Sequence, residues 1–231
     1  MCGRFTLTRS AAEVAEHFGL AAVPELAAHW NAAPTQELAV VRVRSSGERV
    51  LELRRWGLVP RWAKDVSVGA RTINARVESV FERPAFREAV RQRRCLVPAD
   101  GFFEWQGKAR ARRPFHLALP GGALFAIAGL YERWHGPGAE VVDSFTLLTR
   151  PARGAVATLH DRMPLLVDPP GYAAWLDPTA PDPAALLAAL PEALGADLVA
   201  RPVSTRVNDV RNDDPGCLAP PEEPPLPLFS A

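Results

Sequence analysis

The central part of the chain is a series of short apolar runs, each bounded by glycine, proline or charged residues. Runs of this length between turn-forming residues are typical of β-strands with at least one buried face. We therefore predict that they form strands of one antiparallel or mixed sheet. The runs cover residues 95–97, 102–105, 115–119, 124–130 and 145–148.

The segments on either side of these runs predict helices and a hairpin. Ser10 and Glu13 have the spacing of a capping box, and Gly19 is a suitable end for the helix that follows. Two short apolar segments flank the turn-forming residues Ser45-Ser46-Gly47, which is typical of a β-hairpin. The hairpin strands are predicted over 38–43 and 50–53, further helices over 84–93, 170–176 and 183–190, and a last strand over 198–203.

Length and composition fit one domain followed by a tail. A chain of 231 residues with 48% hydrophobic content can bury one core of ordinary size. We predict an α+β fold, with a single domain over residues 1–213 that has a β-rich mixed or antiparallel sheet core and flanking helices. Six prolines occur among the last eighteen residues, so residues 214–231 are predicted to be a Pro-rich tail, extended or disordered.

The same sequence excludes several classes of site. Cys2, Cys95 and Cys217 are too dispersed for a disulfide framework or a CxxC metal site, and the histidines show neither HxH nor HExxH spacing. We find no Gly-rich phosphate loop, so we expect neither metal nor cofactor. The first thirty residues lack the pattern of a signal peptide and no apolar run is long enough to span a bilayer, so we expect a cytoplasmic protein.

The charge of the chain is unevenly distributed. The formal net charge is only +1, yet residues 71–113 contain 11 lysines and arginines against 5 acidic residues. A solvated basic face and a groove that follows a phosphate backbone both fit this excess of positive charge.

Cys2 has an unusual position, because removal of Met1 would make it the N-terminal residue. It would then carry an α-amine of pKa ~7.7–8.0 next to a thiol of pKa ~8.5, both partly deprotonated at neutral pH. Such a 1,2-aminothiol reacts with an aldehyde, first to an imine and then to a five-membered thiazolidine. The alternatives are that Cys2 is an ordinary residue after the start codon, or that Met-Cys-Gly begins an N-terminal-nucleophile amidotransferase.

Five further segments combine polar residues with tryptophan, glycine or proline in a way that a core does not require. With residues 1–5 they occur in the order of the motifs of the SOS response-associated peptidase (SRAP) family, which the sequence resembles from residue 1 to about residue 214. Trp30 and Phe103 depart from that family's pattern, which has tyrosine at the first position and often at the second. The five segments cover residues 31–36, 56–62, 73–78, 98–105 and 160–164.

The resemblance implies a sensor of abasic sites in single-stranded DNA that forms a covalent cross-link through Cys2. It implies Asn74, Glu104 and His160 as the supporting polar residues of the reaction. It further implies a monomer that needs no cofactor and associates with the nucleoid when bound to DNA. It implies Arg4, Arg76 and Arg162 as phosphate-binding positions. We further predict DNA contacts at Gly3, Asn31, Pro34, Thr149 and Trp62, the last by stacking on a base.

The reaction of an abasic sugar with Cys2 requires residues of these types. An abasic deoxyribose is mostly a closed hemiacetal, so opening it needs an acid or base such as a carboxyl with a raised pKa, and Glu104 lies between Phe103 and Trp105. His160 would protonate the departing ring oxygen or bind a phosphate, and Asn74 would orient the α-amine. Closing the thiazolidine removes the imine, which otherwise promotes β-elimination and strand cleavage.

Simpler interpretations stay open for each residue and for the whole chain. Glu104 facing solvent, a structural His160, Asn74 in a turn and Trp62 in the core all fit the sequence. The reactive residues also fit a cysteine-type peptidase limited to its own Met1 or acting on peptides. A non-enzymatic alternative is a module that binds single-stranded DNA without covalent chemistry.

Overall fold

The computed structural model describes residues 2–107, 112–190 and 193–222 of the chain, without the side chains of residues 193 and 194. Its strands are β1 (Phe5–Leu7), β2 (His29–Ala32), β3 (Glu37–Val43), β4 (Arg49–Trp56), β5 (Asn74–Arg76), β6 (Arg94–Ala99), β7 (Gly101–Gln106), β8 (Arg113–Ala118), β9 (Phe125–His135), β10 (Val141–Pro151), β11 (Arg162–Pro164), β12 (Leu166–Val167) and β13 (Val199–Pro202). Its α-helices are α1 (Ala11–Phe18), α2 (Ala89–Gln92), α3 (Gly154–Ala157), α4 (Tyr172–Leu176), α5 (Pro183–Ala189) and α6 (Ala193–Ala196).

Five of the strands close into a ring. In the order β4, β3, β6, β9 and β10 each pairs with the next, and β10 returns to β4 through a parallel pairing at Phe145 and Trp56. The ring is therefore a small barrel, a closed form that leaves its strands without free edges. The short strands β5 and β11 extend it along β10, and β12 extends it along β9.

The strands predicted from the apolar runs are confirmed, but the prediction of one sheet is wrong. A second sheet has the order β13, β8, β7, β1 and β2. The chain passes from the barrel to this sheet between β6 and β7, which only Asp100 separates. Gly101 makes the crossing possible, because a Cβ atom there would lie 2.0 Å from His116 Nε2. A single intervening residue gives no sequence signal that two strands belong to different sheets.

Alternate residues of the barrel strands pack into two different apolar clusters. Val41 packs with Phe18 of α1 and Trp175 of α4, whereas its neighbour Val40 packs with Phe5 of β1. This alternation follows from the two-residue repeat of a strand. The first cluster includes residues of α1, α2 and α4, whereas the second includes residues of the second sheet, of α3 and of the N-terminal segment.

The predicted helices are present with one correction. The capping box is confirmed, since Ser10 Oγ accepts from Glu13 N at 3.3 Å and Glu13 Oε2 accepts from Ser10 N at 2.9 Å. The prediction of a helix over 84–93 is wrong for its first half, because only Ala89–Gln92 is α-helical. The N–H groups of Phe86 and Arg87 both donate to Arg83 O, so the chain forms turns before the helix begins.

Residues 214–219, which were predicted to begin an extended or disordered tail, pack against the domain. Pro215–Leu218 form a 3₁₀ turn capped by Asp214, and Cys217 is fully buried beside Phe103. Ser204 N also donates to Ala219 O at 2.7 Å. The tail prediction is therefore wrong for these residues, and residues 223–231 lie outside the described part.

Within the described ranges, no helix combines the length and the apolar character needed to cross a bilayer.

Candidate functional site

Cys2 lies just before β1, in the buried cluster that residues of the barrel and of the second sheet share. Its side chain is fully buried, and Sγ donates to Arg4 O at 3.7 Å. Burial raises the pKa of the thiol well above its usual range, and the Glu104 carboxylate raises it further. Burial therefore favours the protonated form of the Cys2 thiol. Met1 lies outside the described residues.

Asn74 is the direct structural partner of Cys2. It begins β5, which runs parallel to β10 with Asn74 opposite Leu147. Asn74 Nδ2 donates to Cys2 O at 2.7 Å, which fixes the main chain of the reactive residue. Asn74 Oδ1 is buried and has no hydrogen-bond partner among the residues that the structure describes. It is thus an acceptor that an amine at Cys2 would satisfy.

Glu104 lies in β7, between β1 and β8 in the second sheet. Its side chain is 2% exposed, so the alternative of a solvent-facing carboxylate is wrong. Burial raises the pKa of the Glu104 carboxyl above its ordinary value, while the nearby His160 opposes this shift. Glu104 therefore lies close enough to influence Cys2 on one side and to be influenced by His160 on the other.

His160 follows α3 and precedes β11, and its ring is half-buried. Its Nδ1 accepts from Arg162 N at 2.9 Å and lies 2.7 Å from Asp161 Oδ1. The fold thus brings together four predicted reactive residues from distant segments of the chain.

Arg4 and Asn31, both predicted to contact DNA, bind protein atoms of the C-terminal segment 205–214. Arg4 Nη1 donates to Asn31 Oδ1 and to Val207 O, both at 2.8 Å. Asn31 is fully buried, and its Nδ2 donates to the carbonyl oxygens of Val207, Asp209 and Asn212 at 2.8–3.2 Å. These bonds tie the strands beside Cys2 to residues about 180 positions later in the chain.

Asp213 completes this connection, and the sequence analysis missed it. Its Oδ1 accepts from Trp30 N at 2.5 Å and from Asn31 N at 2.8 Å, and its Oδ2 lies 2.9 Å from His29 Nδ1. The partners are so far apart in sequence that no local pattern reveals the contact.

The predicted positions Arg76, Thr149 and Arg162 lie around β5. Arg76 is exposed at the end of that strand. Thr149 lies opposite Arg76 in β10, is fully buried, and donates through Oγ1 to Ala75 O at 3.4 Å. Arg162 is buried, and it forms a two-pronged ion pair with Glu78, a residue to which the sequence analysis gave no role.

The other predicted contact positions differ in accessibility. Trp62 is 61% exposed, so the alternative that it belongs to the core is wrong. Gly3 and Pro34 are half-buried, and Pro34 precedes Thr35, whose φ of 75° is unusual for a residue other than glycine. Arg94, part of the predicted basic segment, is 3% exposed and donates to main-chain carbonyls of α4 and its end. It therefore does not contribute to a basic surface.

Across the described ranges, no cluster of three or more histidine, cysteine, aspartate or glutamate side chains has the arrangement of a metal site.

Comparison with known proteins identifies a matching family model and several relatives. The model of the family SOS response associated peptidase (SRAP) matches residues 1–210. The abasic site processing protein YoqW of Bacillus subtilis is 36% identical over 219 residues, which cover 93% of this chain and 97% of YoqW. The abasic site processing protein HMCES of Gallus gallus is 33% identical over 200 residues, which cover 76% of this chain and 59% of HMCES.

Solved structures share the fold. A protein from Bacteroides thetaiotaomicron has a TM-score of 0.80 at 22% identity, with 95% of this chain and 99% of that chain covered. A protein from Bordetella bronchiseptica has a TM-score of 0.75 at 26% identity, with 88% of this chain and all of that chain covered.

Proposed function

The chain belongs to the SOS response-associated peptidase family, and on this premise we propose that it captures abasic sites in single-stranded DNA through a covalent bond to Cys2. The observation that carries the proposal is the position of Asn74 and Glu104 beside Cys2, with His160 near Glu104. The names of the curated relatives support the substrate. An abasic site supplies the aldehyde that an N-terminal aminothiol requires.

The first bond forms through the α-amine. Removal of Met1 frees this amine, and the acceptor Asn74 Oδ1 orients it toward C1′ of the ring-opened sugar. The nitrogen lone pair attacks the aldehyde carbon and gives a carbinolamine. Glu104, whose raised pKa favours the protonated acid, donates a proton to the departing hydroxyl, so that water leaves and an imine forms.

The thiol acts second, and its raised pKa explains this order. A protonated thiol is a poor nucleophile toward a free aldehyde, but the imine is held on the same residue. The C1′–S bond forms as the π electrons of the imine move to nitrogen. The thiol proton passes to the Glu104 carboxylate and from there to the nitrogen. The overall change is the loss of one water, with no oxidant or reductant.

The ring closure protects the DNA. An imine at C1′ acidifies the neighbouring carbon and promotes elimination of the 3′ phosphate. The thiazolidine has no C=N bond, so this route to strand cleavage is closed. His160 lies near Glu104, and in its protonated form it donates a proton to the sugar ring oxygen as the ring opens.

The DNA contacts divide into two kinds in this proposal. Arg76 and Trp62 are exposed and contact the strand directly, Arg76 at a phosphate and Trp62 by stacking on a base. We assign Gly3 and Pro34, which are both half-buried, to the same contact surface. Arg4, Asn31 and Thr149 bind protein atoms and hold the main chain beside Cys2 in place.

Intact-mass spectrometry tests the proposal. Purified protein is incubated with an abasic single-stranded oligonucleotide, with the intact oligonucleotide, and with peptides. The expected species is a heat-stable adduct with only the abasic strand, with the summed masses of Met1-free protein and DNA less one water.

Two cysteine variants test the role of the Cys2 thiol in the adduct. Cys2→Ser is expected to give a transient imine and more strand cleavage, whereas Cys95→Ala, which removes a different buried thiol, retains the adduct. A heat-stable adduct with Cys2→Ser, or a mature chain that retains Met1, would contradict the proposal. Cleavage of the peptides without any adduct would favour the peptidase alternative.

A further inference from the structure

Glu78 and Arg162 form an ion pair whose two members differ sharply in exposure. Glu78 Oε1 lies 2.6 Å from Arg162 Nη1 and Glu78 Oε2 lies 2.9 Å from Nη2. The Arg162 side chain is 10% exposed, whereas that of Glu78 is 47% exposed. The carboxylate thus covers the accessible side of a buried guanidinium, in the two-pronged geometry that arginine also uses for phosphate.

The pair lies beside the reactive residues. Glu78 is in the 3₁₀ turn Val77–Ser79, which directly follows β5 with Asn74 and Arg76. Arg162 begins β11, and its main-chain N–H donates to His160 Nδ1. An anion that reached Arg162 would therefore lie between the segments that supply Asn74 and His160.

Only one member of the pair is free to move. Arg162 Nη2 also donates to Thr149 O at 2.6 Å, inside the protein, so the guanidinium is held from behind. Glu78 is half-exposed at a turn, and its carboxylate would be hydrated if it swung away. The pKa of the Glu78 carboxyl is lowered by Arg162, so the carboxylate is charged at neutral pH.

We propose that Glu78 is an internal substitute for phosphate, which occupies the Arg162 guanidinium in the free protein and is displaced by a backbone phosphate of the bound strand. This inference rests on the proposed function, since it assigns the displacing anion to single-stranded DNA. One anion replaces another at the same guanidinium, so the buried charge of Arg162 is compensated in both states. Glu78 thereby keeps the site assembled without DNA and lowers its affinity for other anions.

The proposal has a consequence for salt dependence. Each phosphate neutralised on a single strand contributes about −0.7 to the slope of log K against log salt. In the wild-type protein the released Glu78 carboxylate takes up a counter-cation from solution, and this uptake offsets part of the phosphate's contribution to the slope. A neutral residue at position 78 removes the offset.

The test compares Glu78→Gln with Glu82→Gln, which removes an exposed acidic residue four positions away. Binding of an intact single-stranded oligonucleotide, which offers no aldehyde, is measured over a range of NaCl concentrations. Glu78→Gln is expected to bind about threefold to tenfold more tightly than wild type at low salt, with a slope steeper by up to about 0.7. Equal or weaker binding than Glu82→Gln, with an unchanged slope, would overturn the proposal.

A second variant covers the case that Glu78→Gln does not fold. Glu78→Asp keeps the charge but shortens its reach, so it competes less well for Arg162, and it is expected to bind more tightly than wild type by a smaller factor. Binding no tighter than wild type overturns the proposal. Adduct formation with abasic DNA is measured on the same proteins. If the salt slopes of binding change but no adduct forms, the covalent function alone is refuted. If the adduct forms normally but the salt slopes do not change, the role of Glu78 alone is refuted.

Discussion

At the scale of single residues, Glu104 shows how burial prepares a carboxyl for the acid catalysis that we propose. A carboxyl of ordinary pKa is almost fully ionised at neutral pH and has no proton to donate. Burial raises the pKa of Glu104, so the protonated form persists to higher pH. The α-amine, in contrast, must lose its proton before it attacks. The two requirements oppose each other as pH changes.

The cross-linking rate of the wild-type protein is therefore expected to show a bell-shaped pH profile. The acidic limb reports deprotonation of the α-amine, and the alkaline limb reports loss of the Glu104 proton. Glu104→Gln is expected to lower the rate by about 10²–10⁴-fold and to remove the alkaline limb. Single-turnover rates measured against pH check this, with Glu88→Gln, at an exposed position, as the matched control. An alkaline limb that persists in Glu104→Gln would assign it to another group.

His116 shows the opposite effect of burial on a base. Its Nε2 lies 3.1 Å from Thr6 Oγ1, which itself donates to Asp100 Oδ1 at 2.5 Å. Since the Thr6 proton points to Asp100, Thr6 Oγ1 accepts from His116 Nε2 and the ring is neutral. Burial lowers the pKa of His116 to about 4, with Asp100 opposing the shift and Arg201 adding to it.

This shift makes stability depend on pH. Below its ordinary pKa of 6.5, the unfolded chain binds a proton at His116 that the folded chain does not bind until about pH 4. Stability is therefore full above pH 6.5 and decreases as pH falls through this window, by on the order of 3 kcal/mol. Urea unfolding at pH 7 and pH 5 is expected to show a smaller difference for His116→Gln than for His135→Gln, whose histidine is exposed. Equal differences in the two variants would contradict the role of His116.

At the scale of helices and strands, local patterns predicted the individual elements well. The capping box located α1, and the turn residues Ser45-Ser46-Gly47 located the β3–β4 hairpin. Both signals lie within a few residues, so neighbouring side chains alone decide them. The partition of the strands between two sheets depends instead on the crossing at Asp100 and on contacts across the whole chain. No window of a few residues contains that information.

The candidate site divides in the same way. Cys2, Asn74, Glu104 and His160 stand in motifs whose residue types suit the chemistry, so the sequence pointed to them. Glu78 contacts a residue that lies 84 positions away in the sequence, and Asp213 contacts residues that lie at least 182 positions away. Nothing local distinguishes either residue from a solvated acid. A surface carboxylate and a carboxylate that holds two segments together look alike until the fold is known.

The segment 205–214 supplies the element-scale prediction. Asp213→Asn keeps one acceptor oxygen but loses the charge that binds two main-chain N–H groups and His29. We expect the free energy of unfolding to fall by about 1–3 kcal/mol. Asp209→Asn, at a side chain that pairs with the exposed Arg211, is expected to change it by less than about 0.5 kcal/mol. Urea denaturation compares the two variants, and an equal loss in both would show that Asp213 has no special role.

At the scale of the whole molecule, the two ends of the described chain meet beside the reactive residue. The N-terminal segment enters between the barrel and the second sheet, and the C-terminal segment closes over Arg4, Asn31 and Trp105. A chain end is ordinarily the part of a protein that frays first. In the proposed reaction the N-terminal aminothiol needs a fixed position, and the bonds that residues 207–213 form with Arg4 and Asn31 provide it. The C-terminal segment is therefore part of the site although it supplies no reactive group.

The extent of that segment leads to a prediction for truncated chains. Cys217 is buried with Phe103 and Val207, and Asp214 pairs with Arg206 at 2.6 Å, so these contacts stabilise the segment that binds Arg4 and Asn31. A chain that ends after residue 222 is expected to match the full chain in thermal stability and in cross-linking rate. A chain that ends after residue 213 loses the buried Cys217 and the Ser204–Ala219 bond, and is expected to unfold about 2–4 kcal/mol more easily and to cross-link more slowly.

Thermal melts and single-turnover cross-linking of both truncated chains test this, and the comparison separates two interpretations of residues 214–222. If they were only the start of a tail, neither truncation would change the thermal stability or the cross-linking rate. If they fix the segment over the N-terminus, the shorter chain alone loses stability, and its cross-linking recovers at low temperature, where that segment stays in place. Unchanged stability after truncation at residue 213 would mean that Arg4 and Asn31 hold the N-terminal segment without help from the residues that follow.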